Sequence, residues 1–346
     1  MARDPQRDED RVQHREVLPG HLPADQQLRD GLAVVDKDAG WTSHDVAAKA
    51  RGILRNRKIG HSGTLDPDAT GVLLLGVGRA TRLLKYLTVL PKTYTAEFVL
   101  GTETDTLDDS GRVVATHDMA DVTAEQVRGA AAGLTGPILQ VPPMVSAVKV
   151  DGRRLHELAR EGIEVEREAR PVTVHRFDIA PLAGAPGVYE VEVECSSGTY
   201  VRTLAADLGH ALGGGAHLRN LRRTAIGSFT LAEARPLADL LVTPITEVMR
   251  DYPSVTVSSE VALAVGFGKV LERSALGVGD DPSDEGPWAV LDDGGRLLAV
   301  YEGHKGTTVK PSVVVAPAAP PAAGASRSPA EGASRPPAEG ASPAAE

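Results

Sequence analysis

Segment 60–71 constrains the fold of this 346-residue chain more than any other stretch. It reads GHSGTLDPDATG and leads directly into the apolar run 72–75. Its three glycines permit backbone angles or close approaches that a side chain would prevent. Pro67 fixes its own φ and pushes Asp66 towards an extended conformation. Because such a loop is held by a buried element, we predict that it aims the Asp66 carboxylate in one direction.

Asp66 has an alternative reading, because Asp before Pro is ordinary turn chemistry. The pattern extends well beyond this dipeptide, however. Segment 60–71 closely resembles the signature loop of the TruB family of tRNA pseudouridine-55 synthases, G-H-x-G-x-L-D-P-x-A-x-G, and every fixed position is present. The resemblance implies that Asp66 is the essential aspartate and that His61 lies beside the flipped uridine.

Further blocks of the chain resemble the same family in the right order. The first strand and its D-K-P-x-G-x-[ST]-S turn are matched over 31–43, with Asp38 where proline is usual. Later blocks lie at 91–94, 101–106, 140–149 and 198–203. The resemblance is strong from about residue 31 to about residue 227 and then weakens.

The resemblance implies three further residues around the target base. Arg202 matches the arginine that pairs with the aspartate, and such a pair would keep Asp66 ionised because a nearby cation lowers a carboxyl pKa. Tyr94 matches the tyrosine that stacks on the base and is suited to proton handling at C5. Tyr200 lies two positions before Arg202, so on a strand both share one face. Base contact and core packing stay open for Tyr200.

Other assignments are contacts to RNA. His61 could act as a base, but we favour a wedge beside the extruded nucleotide, because enzymes acting on a stacked base must flip it out. Two interpretations stay open for Asp105. It positions RNA or the active-site arginine, or it caps a turn. Lys37, Lys149 and Leu221 are also assigned to substrate or RNA binding by the resemblance.

Pseudouridine formation breaks the N1–C1′ bond of uridine and rejoins the base through C5, without redox change or energy input. The resemblance therefore implies no cofactor, with Asp66 as the covalent catalyst. A zinc site is not expected, since the histidines lack partners at metal-ligand spacing. The one cysteine, Cys195, excludes an internal disulfide, and strand alternation over 189–195 predicts that it points inward.

The net charge of −10 argues at first against an RNA partner, because binding phosphates relies on Lys and Arg. Local clusters matter more than the total. Basic residues gather at 51–58 and at 219–223, and beside the signature loop we interpret them as RNA contacts. The sequence shows neither an apolar stretch of membrane-spanning length nor a signal peptide, which predicts a cytoplasmic protein. Family precedent suggests a monomer with no obligate protein partner.

Composition divides the chain into four parts. Residues 1–28 are polar without periodicity, and residues 316–346 are a Pro, Ala, Gly, Ser and Glu tail, so we predict disorder at both ends. Residues 29–250 are the expected catalytic domain. Residues 251–315, with short strand patterns and a DDGG turn, resemble the small PUA-like RNA-binding domain of the family.

Periodicity predicts an α+β fold with a mixed, largely antiparallel sheet, because strands are joined by hairpins as well as helices. The predicted strands of the catalytic part are 32–35, 72–77, 95–100, 172–179, 188–195 and 218–226, and the predicted helices are 43–53, 123–133, 152–161 and 202–212. A Rossmann or P-loop fold is excluded, because neither glycine fingerprint occurs in its context.

The resulting hypothesis is isomerisation of uridine 55 in the T-loop of tRNA by base flipping and aspartate-dependent catalysis. Two alternatives stay open. One is a tRNA-folding chaperone, which needs base flipping and backbone contacts but no catalysis. The other is a guide-RNA-dependent pseudouridine synthase working in a ribonucleoprotein.

Overall fold

The computed structural model describes residues 30–317, except Ala147, Asp151 and Pro282; the side chains of Lys149 and His156 are also not described. The predictions for segment 1–28 and for nearly all of the tail 316–346 therefore lie outside the described residues. No helix of the described part is long and apolar enough to cross a membrane.

The strands of the described residues are short to medium in length. In the first half they are β1 (Gly31–Lys37), β2 (Ile59–Ser62), β3 (Thr70–Val77), β4 (Lys92–Leu100), β5 (Thr102–Thr104), β6 (Val113–Thr116), β7 (Gly136–Gln140), β8 (Lys149–Val150) and β9 (Arg153–Arg154). In the second half they are β10 (Arg170–Pro181), β11 (Val188–Cys195), β12 (Ala216–Ile226), β13 (Phe229–Thr230), β14 (Thr243–Pro244), β15 (Ser254–Thr256), β16 (Leu271–Glu272), β17 (Trp288–Leu291), β18 (Leu297–His304) and β19 (Thr308–Val314).

The helices are α1 (Ser43–Ile53), α2 (Leu84–Val89), α3 (Ala124–Gly133), α4 (Leu155–Arg160), α5 (Val201–Ala211), α6 (Ser259–Gly266) and α7 (Arg273–Leu276). Short 3₁₀ turns cover Gly78–Leu83, Leu237–Asp239 and Ile245–Met249. Helices α1 and α3 begin with capping boxes: Thr42 with Asp45, and Thr123 with Gln126. Each pair satisfies two backbone N–H groups that a helix start leaves unpaired.

The main sheet has ten strands in the order β14-β1-β3-β12-β4-β11-β10-β7, with β2 beside β3 and β13 beside β12. Among the described residues its pairings are antiparallel except for β3 with β12. The prediction of a mixed, largely antiparallel α+β fold is confirmed. Buried apolar residues pack on the sheet in three groups: one against α1, one against α5 and α3, and one against α2.

Strand β11 shows why the sheet has a core face. Tyr189, Val191, Val193 and Cys195 are buried, while the glutamates between them are exposed or half-buried. Cys195 points inward as predicted, and burial raises the pKa of its thiol to about 11. This cysteine therefore packs as a small apolar side chain.

A second sheet of five strands, β15-β17-β18-β19-β16, forms the C-terminal β-rich part. One hydrophobic cluster joins it to the N-terminal part, because Val300 and Val313 belong to the same cluster as Leu83 and Leu87. Polar contacts add to this cluster: Arg79 donates to the Val315 carbonyl and Tyr252 to the Tyr86 carbonyl. The two parts thus share a core.

The structure corrects two predicted boundaries. The signature segment is not a loop throughout, since residues 60–62 belong to β2 and pair with β3, which leaves a loop of 63–69. The helix predicted over 152–161 is shorter, because Arg153 and Arg154 pair as a strand with β8 before α4 begins. Both errors arise from short strands that are set by tertiary pairing rather than by local periodicity.

Candidate active site

The loop that carries Asp66 is held from below by buried polar groups. Lys37, 1% exposed, donates hydrogen bonds to the carbonyls of Asp38, Trp41 and Pro67 at 2.9, 2.7 and 2.9 Å. The Ser43 hydroxyl accepts from the Leu65 amide at 2.9 Å. These bonds fix the residues on both sides of Asp66.

Glycine is required where the loop meets strand β3. Gly71 has φ of +103°, and a Cβ there would lie 2.1 Å from the carbonyl oxygen of Arg223 on the neighbouring strand β12. A side chain at this position would therefore separate the two strands. Gly63, at the start of the loop, has φ of +78°.

Asp66 pairs with Arg202, as the sequence hypothesis requires. Arg202 Nη2 lies 3.0 Å from Asp66 Oδ2, and the arginine side chain is only 4% exposed. The same guanidinium donates to the carbonyls of Thr106 and Val145, both at 2.9 Å. Its position is thus fixed by three segments, so it presents a rigid partner to the carboxylate.

The position of Arg202 follows from the start of helix α5. Tyr200 is the residue before the helix and Arg202 lies in its first turn, so the strand geometry considered for this pair is wrong. Buried Gln140 holds this helix start with both ends of its amide. It accepts from the Tyr200 amide at 2.7 Å and donates to the Tyr200 carbonyl at 3.1 Å. Strand β7 therefore sets where the arginine side chain begins.

The pKa of the Asp66 carboxyl is raised, contrary to the expectation from the ion pair alone. Burial is the largest cause, and nearby Asp108 adds to it; Arg202 and then Lys37 lower the pKa in the opposite direction. The carboxylate still keeps 43% of its side-chain surface accessible, so solvent in the cavity limits the shift. Arg202 therefore limits the rise in the pKa of Asp66 that burial causes.

Asp66 opens into a cavity of about 260 Å³. Of the predicted site residues, the cavity is lined by Asp66, Tyr94, Tyr200, Arg202 and Leu221. A second cavity of about 210 Å³ shares Asp66, Arg202 and Leu221 with the first. Leu221 reaches both because a bulge in β12, between Arg219 and Arg222, interrupts the ladder with β4.

Tyr94, Arg223 and Lys92 line the same cavity as Asp66. Burial raises the pKa of Tyr94, and Arg223 beside its hydroxyl opposes that rise. Lys92 donates to the carbonyls of Thr88 and Leu90, and burial together with Arg223 lowers its pKa to about 8. The cavity thus combines one anionic residue with three buried or half-buried cations.

Four predicted residues are not brought into this cavity. His61 lies on β2, where its ring meets that of His44 edge-on at 4.9 Å, and burial lowers its pKa. Lys37 is buried beneath the loop and holds its carbonyls. The Asp105 carboxylate accepts from the backbone and side chain of Arg112, as a turn cap does. The backbone of Lys149 lies in the hairpin β8–β9.

The basic cluster 219–223 does not form the exposed RNA surface that its composition indicated. Arg219 pairs with Glu97, and Arg222 pairs with Asp36 at 2.7 Å. Arg223 is 1% exposed. In the first cluster, Arg51 donates to the Ile59 carbonyl at 2.8 Å. Among the described residues, no group of His, Cys, Asp and Glu could hold a metal ion.

Comparison with known proteins decides the family. Residues 51–201 match the TruB family pseudouridylate synthase N-terminal domain, and residues 202–249 match the tRNA pseudouridylate synthase B C-terminal domain. The chain belongs to the TruB family. A protein of Arthrobacter sp. named tRNA pseudouridine synthase B is 46% identical over 84% of this chain and 98% of its own length. A protein of the same name from Rhodococcus jostii is 46% identical over 83% of this chain and 94% of its own length.

Solved structures confirm the pseudouridine synthase fold. A chain of a Cbf5-Nop10-Gar1 complex has a TM-score of 0.65 at 24% identity and covers 86% of this chain and 88% of its own. A chain of an H/ACA RNP bound to a substrate RNA has a TM-score of 0.63 at 22% identity over the same shares. At this identity the likeness bears on the fold alone.

Within this TruB-family chain, sequence reasoning did not assign four residues to the site: Asp108, Gln140, Lys92 and Arg223, the last of which was interpreted as an RNA contact. Alternation on a strand predicts that Arg223 lies on the same side as Leu221, but it predicts neither its burial nor its hydrogen-bond partners. Asp108 lies beside a turn pattern but gives no sign that its carboxylate faces Arg202, 3.5 Å away. The roles of Gln140 and Lys92 depend on which strands become neighbours.

Proposed function

We propose that this chain converts uridine 55 in the T-loop of transfer RNA to pseudouridine, with Asp66 as the covalent catalyst. The observation that carries the proposal is the Asp66–Arg202 pair at 3.0 Å, at a cavity that Tyr94 and Leu221 also line. Relatives that this chain spans almost end to end are named tRNA pseudouridine synthase B, which supports the choice of RNA.

The reaction closes without a cofactor. The N1–C1′ bond breaks, a C5–C1′ bond forms, C5 loses a proton and N1 gains one. An ionised carboxylate can add to carbon and leave again, which is the task assigned to Asp66. The candidate points of attack are C6 of the base, C1′ of the sugar and the C2′ proton.

The other residues receive roles that suit their positions. Arg202 orients Asp66 and favours its ionised form. Tyr94, which lines the same cavity, stacks on the extruded base and stands near C5. Its raised pKa keeps the phenol protonated at neutral pH, so it would act as a donor or through a relay. His61, outside the cavity, suits a wedge in the RNA stack better than proton transfer.

The proposed enzyme acts alone, as a monomer, and in the cytoplasm, where transfer RNA is matured. A guide-RNA-dependent enzyme receives less support, because the likeness to ribonucleoprotein chains is below 25% identity. A chaperone activity needs no carboxylate. In this chain hydrogen bonds hold the residues on both sides of Asp66, and an ion pair holds its carboxylate.

The decisive experiment supplies the purified chain, alone, with a T-arm stem-loop that carries tritium at C5 of the target uridine. Catalysis releases tritium to water. Asp66→Asn keeps the shape but removes the nucleophile, so turnover should vanish while RNA affinity stays within about threefold. A stem-loop with cytidine at the target position is the matched RNA control. Tritium release by Asp66→Asn, or none by the wild type, would refute the proposal.

A further inference from the structure

Two arginines are the largest fully buried side chains of the described residues: Arg223 in the cavity wall and Arg273 in the C-terminal part. The hydrogen bonds of Arg223 go to backbone carbonyls, and it forms no ion pair with a carboxylate of the described residues. Burying a cation without an anionic partner is costly. A methionine of similar volume would fill the same space without that cost, so packing alone does not explain the arginine.

The guanidinium joins both ends of the catalytic loop. Arg223 Nε donates to the Val72 carbonyl at 2.7 Å, just after the loop, and Nη2 donates to the Gly63 carbonyl at 3.3 Å, just before Asp66. The planar group can serve both because its donors form a fixed fork. Strand β12 thereby fixes the span of chain that carries the nucleophile.

Tyr94 on strand β4 lines the same cavity as this guanidinium, whose charge acts on the tyrosine hydroxyl. Tyr94 and Arg223 are register partners across β4 and β12, next to a bulge in β12 that lies between Arg223 and Ala225. The bulge leaves the ladder locally irregular, so a side-chain contact is needed to fix the tyrosine relative to the loop. Arg223 thus forms hydrogen bonds to the loop and to strand β3, and it lies beside Tyr94 in the sheet.

We propose that Arg223 is a positioning residue, which sets the distance between the base-stacking ring of Tyr94 and the loop that carries Asp66. This inference rests on the proposed function, because the positioning matters only if base and nucleophile must meet. Arg223 contacts neither of the reacting atoms in this role; it acts through Tyr94 and through the loop.

The test compares Arg223→Met and Arg223→Lys with Arg273→Met. Arg273 is a matched control: it is 2% exposed, donates to the carbonyls of Gly279 and Asp284 at 2.7 Å each, and lies over the ring of Trp288. Both methionine variants leave two carbonyls without their arginine donor, so both should lose stability. At a temperature where all variants are folded, kcat on saturating stem-loop should fall about 100-fold for Arg223→Met and stay within about threefold for Arg273→Met. Arg223→Lys, which keeps the charge but not the fork, should recover part of the loss.

A double-mutant cycle with Tyr94→Phe separates positioning from general damage. If Arg223 acts largely through Tyr94, its removal in the Tyr94→Phe background should cost less than about tenfold. For variants too slow for steady-state kinetics, the cycle uses rates measured under single-turnover conditions. If Arg223→Met fails to fold, Arg223→Lys carries the cycle, and the ring signal of carbon-labelled Tyr94 should move in that variant but not in Arg273→Met.

The outcomes are separable. An inactive wild type refutes the proposed function itself. With an active wild type, the positioning role is overturned if Arg223→Met keeps kcat within about threefold, if Arg273→Met loses as much, or if the cycle is additive.

Discussion

At the scale of single residues, the site is governed by the competition between burial and charge at Asp66. Burial and Asp108 raise its pKa, and Arg202 and Lys37 lower it. In the proposed reaction Asp66 acts as an ionised nucleophile, so activity should fall as the pH drops through this raised pKa. The acidic limb of the pH–rate profile should accordingly lie above the ordinary aspartate value of 3.8.

Replacing Arg202 by methionine tests that balance. Without the cation the pKa of Asp66 rises further, so the acidic limb of kcat should move to higher pH by about one unit or more, with a large loss of rate at neutral pH. Arg202→Lys keeps the charge and should shift the limb less. Arg219→Met, which removes a more exposed pair with Glu97, should leave the limb in place. Carboxyl-carbon NMR of Asp66 gives the pKa directly; an unchanged value in Arg202→Met would refute the electrostatic role.

Lys37 makes a different residue-scale prediction, because the structure gives it a stabilising role beneath the loop. Lys37→Met leaves three carbonyls without their buried donor and should lower the free energy of unfolding by roughly 2–4 kcal/mol. Lys58→Met, at an exposed lysine, should change it by less than about 0.5 kcal/mol. Urea unfolding of both variants measures the difference, and equal stabilities would contradict a stabilising role for the Lys37 hydrogen bonds.

At the scale of elements, the junction of loop and strand depends on glycine for two separable reasons. Gly40 and Gly71 both have positive φ, but a Cβ meets nothing within 4 Å at Gly40 and the Arg223 carbonyl at Gly71. Gly40→Ala should therefore cost only backbone strain, about 1–2 kcal/mol. Gly71→Ala adds a clash between paired strands and should cost about 3 kcal/mol or more. Denaturant unfolding measures both, and equal costs would show that the strands separate easily.

The elements also show how far the sequence predicts this fold. Helix α1 and strand β11 appear with their predicted bounds, because each has a strong period and a clear start. Strand β2 was missed, since Gly60 and Ser62 carry no alternation and its place is set by pairing with β3. Asp66, with its sequence signature, could be singled out as a catalytic candidate. The buried roles of Lys37 and Arg223 could not, because a basic residue in sequence predicts a solvated face until its neighbours are known.

At the scale of the whole molecule, the shared core predicts that the two sheets are not independent. Ending the chain at residue 250 would remove Val300 and Val313 from the hydrophobic cluster that also contains Leu83 and Leu87. Each buried aliphatic side chain is worth about 1.5–3 kcal/mol, so the shortened chain should lose roughly 5 kcal/mol or become insoluble. Thermal unfolding of 29–250 against 29–317 tests this, and equal melting temperatures would show that the catalytic part is self-sufficient.

The two ends of the chain make the opposite prediction. Segments 1–28 and 318–346 contain few large apolar residues and cannot add to a packed core, so deleting both should shift the melting temperature by no more than about 2 °C and leave turnover unchanged. The cuts preserve Asp30, which pairs with Arg79, and Val315, whose amide donates to the Leu298 carbonyl. A chain ending at Val314 removes that buried valine and its backbone bond, so it should melt several degrees lower than one ending at residue 317. If the chain 29–317 already melts markedly lower than the full chain, one of the end segments docks on the folded part and the composition argument fails.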